Sequence, residues 1–126
     1  MRIGICGCMI HPERDPVGID VAEVTAGIGY DYIELSLRDV AALDAEGFSA
    51  LARRLEKSGL RSEACNNFFP PERRITGPDY DLPSLRQYTR GALERARALG
   101  AEAVVFGSSG ARNIPGGYPR DRAWSQ

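Results

Sequence analysis

The sequence predicts an α/β fold: four parallel βα units forming the N-terminal half of a (β/α)8 TIM barrel. Two observations give the alternation. Four short apolar runs are separated by amphipathic stretches of helical period, and each run ends in small or polar residues. Such alternation implies parallel strands joined by right-handed crossovers. A third observation chooses the barrel over an open doubly wound sheet. Gly4, Cys6, Glu34, Ser36 and an asparagine fall where strand residues face away from the helices. They are too small and polar for a sheet covered on both faces, and suit a barrel interior that widens towards a polar site. A whole barrel takes about 250 residues, and the 126 here are read as a single partial domain, 1–126, whose last helix is cut short near 120–126.

Arg2-Ile3-Gly4-Ile5-Cys6 is the first strand, with Ile3 and Ile5 on one face and Gly4, Cys6 and Cys8 on the other. Cys6 and Cys8 are either small buried residues or a Cys-x-Cys metal or redox pair. Gly7 to Val17 holds Pro12 and Pro16 and is read as loop. Its His11, the one histidine of the chain, is either simply exposed or in contact with substrate. Asp20-Val21-Ala22-Glu23 has the form of a capping box, placing Val21, Val24 and Ile28 on one buried helical face before Gly29 ends the helix.

Tyr32 to Leu37 is the second strand. Ile33, Leu35 and Leu37 share one face, and Tyr32, Glu34 and Ser36 the other, so Glu34 is a satisfied structural carboxylate or a substrate contact. Phe48, Leu51 and Leu55 mark a helix over 47–58, stopped by Gly59. Leu60 to Cys65 is the third strand and runs into Asn66-Asn67-Phe68-Phe69-Pro70-Pro71. Those amides and aromatics either meet a small polar ligand or make turns while the rings plug the core. Leu85, Tyr88, Ala92, Ala96 and Leu99 trace the buried stripe of a helix over 82–99. The apolar run from Ala101 to Phe106 reads as a buried fourth strand that opens into a functional loop at Gly107 to Pro115. After the turn at Gly116 to Pro119, a helix starts at Arg120.

Composition narrows the partners. A formal net charge of −1 leaves no electrostatic footprint for nucleic acid, and no apolar run approaches the roughly 20 residues of a membrane helix. Without a signal-peptide pattern the expected location is cytoplasmic. Three cysteines, an odd number, suggest reduced thiols instead of a disulfide framework.

Three blocks carry a resemblance: Tyr30-Asp31-Tyr32-Ile33-Glu34-Leu35, Glu63-Ala64-Cys65-Asn66-Asn67-Phe68-Phe69-Pro70, and Val104-Val105-Phe106-Gly107-Ser108-Ser109-Gly110-Ala111-Arg112-Asn113-Ile114-Pro115. Together they resemble the N-terminal half of the sugar phosphate isomerase/epimerase family, the xylose isomerase-like barrels. The resemblance implies an isomerase that moves a proton beside a sugar carbonyl with the help of a divalent metal, manganese or magnesium. It also implies that the metal ligands come from later strands, so no metal site and no catalytic residue are expected in this chain, which alone is expected to be inactive. Substrate-binding residues are then Glu34 and Asn66 lining the pocket, Ser108 or Arg112 reaching a hydroxyl or phosphate, and His11 on the first loop. The expected ligand is a sugar or sugar phosphate. Exposed strand edges would favour a homo-oligomer that closes the half-barrel. The alternative is a non-catalytic half-barrel that self-associates or binds a small polar ligand.

Overall fold

In a computed structural model of the 126-residue chain, which describes residues 1–10, 13, 15, 17, 18 and 20–126, helices alternate with four parallel strands. The strands are β1 (Gly4–Cys6), β2 (Tyr32–Ser36), β3 (Ala64–Asn66) and β4 (Ala103–Val104). They lie in one sheet in the order β1-β2-β3-β4, every neighbour parallel. Consecutive order matters because right-handed crossovers then put every connecting helix on the same face. The crossovers contain α1 (Ala22–Ile28), α2 (Leu37–Ala42) with α3 (Ala45–Ser58), and α4 (Leu82–Ala98); α5 (Ser109–Arg112) and α6 (Arg120–Trp124) follow β4.

The register separates an apolar face from a polar one. Ile5 pairs with Ile33, and Leu35 with Cys65 and Cys65 with Val104, on the helix side. Ile33, Leu35 and Cys65 are fully buried there with Leu51 and Leu55 of α3 and Leu85, Ala92 and Ala96 of α4. The opposite face carries Gly4 beside Tyr32, the row Cys6, Glu34, Ala64 and Ala103, and then Ser36 beside Asn66.

Local chemistry explains the helix boundaries. The Asp44 carboxylate accepts from the Gly47 amide at 2.7 Å to start α3, and Asp81 accepts from Ser84 to start α4. Gly59 ends α3 in the left-handed region at φ 74°. Arg95 of α4 donates one guanidinium nitrogen to the carbonyls of Val40 (2.7 Å), Ala41 (3.3 Å) and Leu43 (2.6 Å), satisfying the open end of α2.

Several expectations change. Asp20 does not cap α1; its carboxylate takes the Arg54 guanidinium at 2.9 Å, and Val21 occupies the cap position without a side-chain bond. The helix buries Ala22 and Thr25, while Val24 and Ile28 are 60% and 70% exposed. The reason is crowding: α1 packs closely on α3, so the small side of the helix faces inward. Leu37 is buried as expected but opens α2 instead of ending β2. The fourth strand is a two-residue edge, not a buried one, since no described element pairs with its outer side and Val105 and Phe106 are half exposed. One turn of helix, α5, forms where a loop was expected. No described helix is long and apolar enough to cross a membrane.

Candidate functional site

The carboxyl ends of parallel strands collect whatever residues follow them, and open α/β sheets and barrels bind ligands there. Four of the expected site residues lie at this end. The fifth, His11, lies outside the described residues.

Glu34 and Asn66 stand on the polar face of adjacent strands, Asn66 one step further along because its register partner is Ser36. Asn66 donates its side-chain amide to the Cys6 sulfur at 3.1 Å and lies 3.6 Å from that of Cys8. The Cys6 thiol is pushed up from its ordinary value of 9.0, first by burial and then by its hydrogen bond with Cys8, with the Glu34 charge adding and the Asn66 amide opposing. Glu34 is half-buried, and no described residue holds its carboxylate by a hydrogen bond or an ion pair. The Ser36 hydroxyl is buried without a hydrogen-bond partner among the described residues. The polar face therefore keeps a carboxylate and a hydroxyl with bonding capacity to spare.

Ser108 and Arg112 occupy a second place. With Arg38, Asn67, Phe69, Pro71, Gly107 and Gly110 they border an open cleft of about 460 Å³. Arg38 follows β2, Asn67 follows β3, and Ser108 and Arg112 follow β4, so three consecutive strands contribute to one cleft. Ser108 is buried in the left-handed region (φ 41°), where its hydroxyl accepts from the Phe69 amide at 2.8 Å. That bond joins the two loops and uses one acceptor position of the hydroxyl. Arg112 is exposed and pairs with no described acid; among the described residues the Arg38 guanidinium pairs with its neighbour Asp39 alone, at 3.5 Å.

The walls are fixed by contacts that need particular residues. A Cβ on Gly110 would sit 2.9 Å from Pro71, so α5 and the loop after β3 approach as only glycine permits. Arg74 grips the carbonyls of Gly110 and Asn113 from outside. Phe68 and Phe69 are buried against each other (centroids 4.6 Å apart), with Phe106 edge-on and the Tyr88 hydroxyl bonded to the Phe68 carbonyl. The rings of the Asn-Asn-Phe-Phe stretch pack into the core, with Phe69 also bordering the cleft, while the two amides lie towards the Cys6 and Cys8 sulfurs.

No model of a known family matches the chain, and no curated protein does. Among the described residues no three His, Cys, Asp or Glu side chains are placed to hold a metal ion.

Asn67 joins the two places. It borders the arginine cleft, and its amide nitrogen lies 4.0 Å from the Cys8 sulfur on the polar face. Its φ of 48° is a conformation that asparagine tolerates better than most residues. The strand-end pattern could have singled out Arg38, two residues beyond the second strand, and sequence reasoning passed over it. Nothing in the sequence signalled that the Ser36 hydroxyl would lack a partner.

Proposed function

We propose that the chain is the ligand-positioning part of a sugar phosphate isomerase or epimerase, with its four βα units arranged as the N-terminal half of a (β/α)8 barrel. The observation that carries this reading is the cleft that Arg38 and Arg112 both border, behind three successive parallel strands. Two guanidinium groups with the Ser108 hydroxyl and the Asn67 amide form a donor set suited to a phosphate, because each arginine offers paired N–H groups to anionic oxygens. Glu34, Ser36 and Asn66 then face the polyol part of the same ligand. An acceptor, a hydroxyl and an amide match the alternating donors and acceptors of a sugar.

In this account the residues bind and orient. Glu34 accepts from a sugar hydroxyl, Asn66 donates to an oxygen near the carbonyl, and the arginines hold the far end in register. Proton transfer beside the carbonyl belongs to the complete barrel. Calorimetric titration with a pentose phosphate, the free pentose and inorganic phosphate tests the reading. The sugar phosphate is expected to bind at least tenfold more tightly than either part, about 1.4 kcal/mol. Equal affinity for the free sugar, or no binding of the three, would overturn it.

A second reading, a half-barrel that closes on a copy of itself without catalysis, has its own support. Ile3 just before β1, Val24 and Ile28 on α1, and Val105 and Phe106 just after β4 are exposed, leaving apolar surface outside the core. Sedimentation analysis tests it: a concentration-dependent dimer is expected, and a monomer at all concentrations contradicts it.

A further inference from the structure

The sequence places Cys6 at the end of β1 and Cys8 in the 3₁₀ turn that follows, Gly7–Met9. Their sulfurs lie 3.2 Å apart. A disulfide bond is about 2.05 Å long, so roughly 1.2 Å of approach separates the dithiol from the bonded pair. Gly7 makes this possible: it is buried, and a Cβ there would press on the Ile33 side chain at 3.1 Å and the Glu34 carbonyl at 3.2 Å. The turn can therefore fold tightly against β2 and bring both sulfurs to one side. Both cysteines are only half-buried, within reach of a small reagent. Cys65 is fully buried and faces the helix side of the sheet in register with Leu35, so it stands apart from the pair.

We propose that Cys6 and Cys8 form a reversible dithiol/disulfide couple that exchanges with a low-molecular-weight disulfide such as oxidised glutathione. The step balances without further reagents. One protein thiolate attacks a sulfur of the small disulfide and expels one small thiolate, leaving a mixed disulfide. The second protein sulfur then attacks the first, the internal Cys6–Cys8 bond forms, and the second small thiol leaves. Two protein thiols are oxidised, one small disulfide is reduced to two thiols, and the two protons end on the leaving thiols. The Asn66 amide, which donates to Cys6 at 3.1 Å and lies 3.6 Å from Cys8, can stabilise whichever sulfur is anionic. Burial pushes the Cys6 thiol up from its ordinary 9.0, so exchange is expected to quicken as pH rises. The couple does not depend on the sugar phosphate reading, and its test uses no sugar.

The full chain is equilibrated with mixtures of reduced and oxidised glutathione, quenched with a thiol-alkylating reagent, and analysed by intact and peptide mass spectrometry. The expected product is a monomer lighter by about 2 Da, the mass of two hydrogens lost on oxidation. Its link should join Cys6 to Cys8, Cys65 should be recovered as free thiol, and a dithiol reductant should reverse the change. Cys8→Ser should stop at a stable glutathione adduct on Cys6, and Cys65→Ser should behave as the parent chain does. Failure of the parent chain to lose two hydrogens would overturn the proposal. So would a persistent mixed disulfide in the parent, a link through Cys65 or between chains, or a Cys8→Ser variant indistinguishable from the parent.

Discussion

The Asn66 amide on β3 meets the Cys6 sulfur on β1 at 3.1 Å, although β2 runs between the two strands. Neighbouring strands lie about 4.8 Å apart, so in a flat sheet β1 and β3 would be about 9.6 Å apart with parallel side chains that could not meet. The polar face is therefore concave at its carboxyl end. Glu34 and Ser36 lie on the strand between, and Ser36 is 1% exposed. The sheet, in consecutive order, thus curls towards its polar face.

Arg112→Ala and Arg38→Ala are expected each to weaken inorganic phosphate and sugar phosphate binding by about tenfold, the scale of one charge-assisted hydrogen bond. Free sugar binding should be unchanged, and raising the salt should reduce the difference because both cations are exposed. Titration calorimetry of the two single variants at low and high salt checks this.

Arg95 looks like one more solvated charge of α4 in the sequence, yet it holds the end of α2 through three carbonyls and lies 5.0 Å from the centre of the Phe48 ring. Arg95→Ala should cost about 2–3 kcal/mol by urea unfolding, since it leaves those carbonyls without a charged donor. Arg95→Lys should recover only part of this, because a single ammonium cannot reproduce the planar group that both stacks and donates.

Gly77 has a φ of +112°, and a Cβ there would lie 2.7 Å from the Pro115 ring. Gly77→Ala is expected to lower stability by about 1–3 kcal/mol through backbone strain and overlap. Gly91→Ala is the control. Gly91 lies inside α4 with nothing near its missing Cβ, and alanine there should stabilise by up to about 1 kcal/mol.

The Cys65 thiol is pushed up from 9.0 mainly by burial, with the Glu34 charge adding and hydrogen bonds from Ser62 and the backbone opposing. The folded state therefore favours the protonated thiol. That contribution is complete below pH 9.0 and is lost as pH rises, first as the unfolded chain ionises and finally as the folded thiol titrates. Urea unfolding should show stability falling more steeply between pH 8 and pH 10 in the parent chain than in Cys65→Ala.

The α/β alternation was legible because apolar period and glycine stops are local signals: Gly29, Gly59 and the stripe of α4 lie where the pattern put them. The inward face of β2 was legible for the same reason, through simple alternation. The face of α1 was not, because Ala22 and Thr25 are selected by the close approach of α3, a tertiary fact that hydropathy does not carry. Nor could parity decide between Asn66 and Asn67; the left-handed backbone at Asn67 breaks the alternation just there. Arg38 was hidden by an exposed charge's usual anonymity, and it matters only because its turn is tied to the Asn67 carbonyl by the Arg38 amide at 3.0 Å.

In the proposed function one ligand spans the polar face and the arginine cleft. Backbone amide NMR of the full chain, titrated with a pentose phosphate, tests it most directly. Resonances of Glu34, Ser36 and Asn66 are expected to move together with those of Arg38, Asn67, Ser108 and Arg112, along one binding curve, and inorganic phosphate is expected to move only the second group. Shifts confined to one group with the sugar phosphate, or scattered over the helix side of the sheet, would contradict it.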